Sequence, residues 1–145
     1  RVVNAANAIA DDAGLLMLRL NPRIAILAGA DYAVANLAIL RDAGVLAATP
    51  DPAGAAKLAY LAHHEGPGRA TRFLRGRMGY VTPAILAANV PDAARRRRLI
   101  GAANGDVGTA YRKWLAGYVD AAIDVRRFMA NTVNVAIPRL SDFFA

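Results

Sequence analysis

Cysteine is absent from this chain, so neither a disulfide nor a thiolate metal site is available to it, and the redox state of its compartment stays open. Glutamate is almost absent. Glu65 is the sole one, and the 11 acidic residues stand against 18 lysines and arginines, a formal net charge of +7. That balance, with a pI near 10.5, predicts attraction to polyanions: nucleic acid, anionic lipid or an acidic cell wall. Sustained alternation of β-branched residues is missing, which argues against a sheet. Long apolar runs are missing too. The composition is 56% hydrophobic with mean hydropathy +0.25. Arg and Asp nevertheless break every stretch short of the roughly 20 residues a spanning helix needs, so no membrane span is expected. The N-terminal residues lack the basic, apolar and small-residue pattern of a signal peptide. Repeats, low-complexity linkers and heptad arrays are likewise absent.

What is present is alanine, a strong helix former, punctuated by proline and glycine. The 145 residues fit one domain, 1–145, with a single core. Since it begins at Arg1 rather than Met, the sequence reads as part of a longer polypeptide. A first helix is expected over Val2–Leu20. Asn21-Pro22, Asp51-Pro52, Thr82-Pro83 and Pro91-Asp92 each carry start chemistry for a further helix, and Gly44 and Gly66-Pro67-Gly68 mark breaks. The longest late helix is expected from about Thr109 to Ala130, followed by an irregular tail, 131–145, closing on a short turn. The fold class is therefore all-α, a compact bundle of six or seven helices. Ile24, Leu27, Val34, Leu37 and Leu40 fall near helical spacing and are expected to face the core.

One segment concentrates chemistry: Leu58 to Gly76, LAYLAHHEGPGRATRFLRG, an amphipathic helix ending in His63, His64 and Glu65, then a sharp break into a basic helix. A break of this kind places those three side chains at a helix C-terminus beside a concave junction. A partly buried carboxyl there suits a general acid; the plainer alternative is a solvated Glu65 paired with Arg69 or Arg72. Adjacent histidines point in different directions, so at most one faces a groove. Neither His63 and His64 nor Glu65 has the i, i+4 spacing that presents two ligands to one ion, so no metal and no cofactor is expected. Arg95 to Arg98 wrap their helix and read as a solvated face, with electrostatic attachment as the alternative. Tyr111, Trp114 and Tyr118 lie at helical spacing and read as core, with a sugar-stacking platform as the alternative.

The run Ala62-His63-His64-Glu65-Gly66-Pro67-Gly68-Arg69 resembles the A-Y-N-A-G-P-G-R signature of soluble lytic transglycosylases. Upstream, Asn21-Pro22, Ile26, Gly29-Ala30 and Tyr32 resemble that family's D-P-x-x-N-I-x-x-G-A-x-Y pattern, in the same order. Together they cover about 21–74. The resemblance implies a lysozyme-like fold and cleavage of peptidoglycan glycan strands, by a muramidase or a lytic transglycosylase. It implies a substrate groove lined by Tyr32, Tyr60, His63 and His64. It also fits a secreted antibacterial effector or phage lysin acting in the periplasm or on the cell wall, with a secretion-system or immunity protein as further partner, and the wall rather than nucleic acid as target. The family's acid is a Glu followed by Ser, upstream of the Asn-Pro pattern, and this sequence has no such pair. His63, His64, Glu65 and Ala25 stand where the family has Tyr, Asn, a small residue and Asn. The acid is thus expected either at Glu65, the sole candidate in the chain, or before Arg1. A module from another class, non-catalytic, basic, helical and binding peptidoglycan or nucleic acid, is the alternative reading.

Overall fold

Short polar side chains open five helices, and each one caps. Asn21 Oδ1 accepts from the amides of Arg23 and Ile24 at 3.1 and 3.3 Å, and Asp51 Oδ1 from those of Ala53 and Gly54 at 2.8 and 3.0 Å. Thr82, Asp92 and Asp106 do the same downstream. After Asn21, Asp51 and Thr82 the next residue is proline, whose missing N–H falls where a helix has no acceptor for it. Each cap stabilises its helix by about 1 kcal/mol.

The computed structural model describes residues 12–46, 50–128 and 137–145. Among them it has seven α-helices and no strand: α1 (Asp12–Leu18), α2 (Pro22–Asp42), α3 (Pro52–Glu65), α4 (Pro67–Leu74), α5 (Pro83–Asn89), α6 (Ala93–Gly101) and α7 (Val107–Ala122). Two 3₁₀ turns, Val125–Phe128 and Leu140–Phe143, follow. The chain is an all-α bundle. Most of the helix expected at Val2–Leu20 lies outside the described residues; Asp12–Leu18 is its described part.

The core forms where α3, α4 and α7 meet: Leu58, Leu61, Phe73, Leu74, Tyr111, Leu115 and Val119 are all within 1% of complete burial. The C-terminal residues close it. Leu140 is fully buried, Phe144 meets Phe73 edge-on at 5.6 Å, and the Ala145 amide donates to Leu74 O at 3.0 Å. Phe143 lies so close to α3 that a Cβ on Gly54 would sit 2.5 Å from its ring, so any other residue there would have to push that ring aside.

Two expectations are corrected. The late helix does not reach Ala130: it stops at Ala122, because Ile123 leaves helical geometry (φ −101, ψ 88). The Asp124 carboxylate then bonds the Arg126 amide and guanidinium instead of leaving the backbone to continue. Nor does the supposed core face of α2 hold as a unit. Leu40 is buried and Leu37 and Ile24 are partly so, but Leu27 is 44% and Val34 67% exposed. Val34 and Leu40 are six residues apart, a third of a turn off one another, and α2 packs on α3 and α4 along the Asn36–Leu40 side. By length and composition alone, α2 is also the one helix among the described residues able to cross a membrane.

Candidate functional site

Glu65 is the last residue of α3, and Gly66 behind it adopts φ 74, ψ 148, a backbone region essentially restricted to glycine. The chain turns there into α4, and the Glu65 side chain folds inward to 5% exposure. Two phenols meet it. Tyr80, in the loop between α4 and α5, donates to Oε2 at 2.8 Å; Tyr111, in the second turn of α7, donates to Oε1 at 2.5 Å. Burial first, and then the bond to Glu65 and its charge, push both phenols well above their ordinary value near 10. They remain protonated donors at any physiological pH.

Among the described residues the only ionisable group within 4 Å of the carboxyl that could balance its charge is His64, with Nε2 3.8 Å from Oε1. The Tyr111 hydroxyl lies 3.5 Å from the same nitrogen. The plain alternative for Glu65, a solvated residue paired with Arg69 or Arg72, is corrected. The carboxyl is buried, and both guanidiniums stack instead over the Tyr80 ring, at 5.4 and 6.0 Å. Their charge is felt at the phenols, where Arg69 partly offsets the rise.

From this buried centre a row of rings runs to the surface. Trp114 lies 5.6 Å from Tyr111, Tyr118 stacks on Trp114 at 5.6 Å, Tyr60 of α3 sits 6.3 Å from Tyr118, and His64 stacks nearly parallel on Tyr60 at 6.2 Å. Of the α7 rings read as core, only Tyr111 is fully buried; Trp114 is half-buried and Tyr118 is 45% exposed. The face they share emerges from the core as α7 proceeds. Tyr118 beside it raises the Tyr60 phenol above its ordinary range.

The expected groove residues divide in two. Tyr32 of α2 meets His63 edge-on at 6.0 Å, and these two with Tyr60, Ala28, Gly29 and Ala59 line an open recess of about 600 Å³. His64 faces the other way, to Glu65 and Tyr111. Tyr60 joins both, touching the recess on one side and His64 on the other. Tyr80 and Tyr111 were not legible as partners of Glu65, since they stand 15 and 46 residues away.

Elsewhere, a cavity of about 740 Å³ between Gly76–Val81 and the start of α7 holds none of the expected residues. In α6, Arg96 donates to Val90 O and Pro91 O, both at 2.7 Å, while Arg95, Arg97 and Arg98 are exposed. Among the described residues no three His, Asp or Glu side chains gather in a way that could hold a metal ion. Compared with models of protein families, with curated proteins and with solved structures, the chain matches none.

Proposed function

We propose that this chain acts on peptidoglycan, cleaving the β-1,4 bond between N-acetylmuramic acid and N-acetylglucosamine with Glu65 as the acid–base group. The observation that carries the reading is the buried Glu65 carboxyl, fixed by Tyr80 and Tyr111 at the inner end of an aromatic row that reaches solvent. The exposed ring of Tyr118 and the partly buried ring of Tyr60 offer apolar faces to sugar rings and hydroxyls to their rims. In a lytic transglycosylase one carboxyl suffices. Glu65 must enter the step protonated: it gives that proton to the leaving glycosidic oxygen, then takes one from the C6 hydroxyl of the muramyl unit as that oxygen closes on C1, and so returns to the protonated form. A hydrolase normally needs a second carboxylate. On this reading His64 and Tyr60, whose rings stack, contact the reacting sugar, and Tyr32 and His63 contact the unit in the neighbouring recess. The resemblance of the Asn21–Tyr32 and Ala62–Arg69 motifs to soluble lytic transglycosylases supports the same lysozyme-like assignment. It also supports action at the cell wall, with a secretion-system or immunity protein as further partner.

The test is digestion of purified sacculi, with soluble muropeptides identified by mass spectrometry. Anhydromuramyl products are expected, and Glu65→Gln should lower their release by about 10² to 10⁴-fold while sacculus binding is kept. No release by this chain at any pH overturns Glu65 as the acid, and no release by a chain extended upstream of Arg1 sinks the enzymatic reading; release that survives Glu65→Gln places the acid elsewhere.

A second reading, a non-catalytic basic module, is favoured by one observation: both Glu65 oxygens are already engaged by internal donors at 5% exposure. On that reading Glu65 only fastens α3 to α7 and the Tyr80 loop, and the exposed arginines of α6 bind the wall or nucleic acid. Co-sedimentation with sacculi against a DNA gel shift, each across a salt series, separates the two, because phosphate binding weakens steeply with salt.

A further inference from the structure

α2 turns an apolar stripe to solvent. Ile26 is 71%, Val34 67% and Leu27 44% exposed, and just ahead α1 adds exposed Leu16 and Met17 and the turn after it Leu20. Among the described residues, Tyr118 is the only large exposed apolar residue outside these two helices and the turn that joins them. Counted from Arg23, the residues Ile26, Leu27, Ala30 and Val34 follow at the intervals that keep one side of a helix. Arg41, five turns on, returns to the line of Arg23 about 27 Å along the axis. Both arginines are exposed. Asp31 and Asp42 lie about a quarter-turn to one side, and Tyr32 lies on the opposite side, facing the recess. The helix has a mean hydropathy of 1.5 over its 18-residue apolar window, of which 11% is buried.

We propose that α2 docks lengthwise on an anionic lipid bilayer, its Ile26–Val34 stripe among the acyl chains and Arg23 and Arg41 on lipid phosphates. An apolar line with a guanidinium at each end is what a helix lying in the interface requires, since the long side chains reach headgroups while the stripe between them is covered. A second copy of the chain fits less well. An antiparallel two-fold about the middle of the stripe sets Arg23 against the second copy's Arg41, and a parallel pairing sets each against itself. Like charges meet either way, which disfavours such an interface. Anionic lipid makes both arginines attractive contacts, and the net charge of +7 draws the whole molecule to the same surface. With Tyr32 on the far side, docking leaves the recess open.

Co-sedimentation of the 145-residue chain with phosphatidylcholine vesicles, and with vesicles that also contain phosphatidylglycerol, tests this. Binding is expected to the anionic vesicles and not to the neutral ones. Replacing Ile26, Leu27 and Val34 together by Gln should weaken it at least about tenfold, the helix content by circular dichroism being unchanged because all three side chains are exposed. Arg23→Gln with Arg41→Gln should weaken it less and flatten its salt dependence. Equal binding to both vesicle types, no binding to either, or binding that survives the triple change overturns the proposal. So does light scattering that shows a dimer which the triple change splits, since that assigns the stripe to a second copy.

Discussion

Tyr111 is 1% exposed and donates its hydroxyl to a carboxylate, so its proton is held far more tightly in the folded chain than in the unfolded one. Below about pH 10 both states keep that proton, and this contribution to stability is fully present. Above it the unfolded chain loses the proton while the folded chain keeps it, so stability falls as pH rises, by about 1.4 kcal/mol per pH unit from Tyr111. Tyr80 acts in the same direction. Urea midpoints measured from about pH 9 to pH 11 should show the decline, and Tyr111→Phe should flatten it. An unchanged slope in that variant would mean that the folded chain does not hold the Tyr111 proton more tightly than the unfolded one. The sequence announced only half of this centre. His63, His64 and Glu65 are consecutive and end a helix pattern, so they were visible as a motif. Their partners come from a loop and from α7, and no local spacing records that those rings arrive at the same carboxyl. Trp114 and Tyr118 share a helix face with buried Tyr111, so spacing alone assigned all three to the core; where α7 leaves the core is a property of packing.

At the scale of elements, the starts at Asn21, Asp51, Thr82 and Asp92 were legible because each is written in two or three adjacent residues: a polar cap and, at the first three, the proline after it. Ends were less so, since the stop of α7 at Ala122 depends on Asp124 choosing Arg126 as its partner. The join between α3 and α4 offers a paired test of sign. Gly66 holds φ 74, ψ 148, and no atom lies within 4 Å of where a Cβ would stand, so the cost of Gly66→Ala is wholly backbone strain. It should destabilise by about 1–3 kcal/mol and displace Glu65 from its phenols. Gly68, two residues on, sits inside α4 with equal room and no unusual φ. Gly68→Ala should therefore stabilise, by about 0.5–1 kcal/mol. Chemical denaturation of both variants decides it: changes of the same sign would mean that the break is not held by the glycine at 66.

For the molecule as a whole, the connection least visible in the sequence is Lys57, a cation 2% exposed within α3. Its ammonium donates to Asp120 Oδ1 of α7 and to Pro138 O of the C-terminal segment, both at 2.6 Å, and the same Asp120 oxygen accepts from the Leu140 amide at 2.8 Å. One charge pair thus ties the middle, the last long helix and the end of the chain. Residues 131–136 of the stretch read as an irregular tail lie outside the described residues, but 137–145 are fastened here and carry Leu140 into the core. Lys57→Met keeps the length of the side chain and strands both the Asp120 carboxylate and the Pro138 carbonyl. Removing one member of a buried pair typically costs about 3–5 kcal/mol, and because Asp120 is 27% exposed the lower end applies, about 3 kcal/mol. Asp120→Leu alone leaves a buried ammonium and should cost at least as much, whereas the double variant Lys57→Met with Asp120→Leu strands no charge and should regain most of the loss. The cycle is read from urea midpoints, with limited proteolysis near Arg139 reporting whether the C-terminal segment has come away. If the two single losses simply add in the double variant, the pair does not act as a clamp, and the C-terminal segment is held by Leu140 and the Phe144 contacts alone.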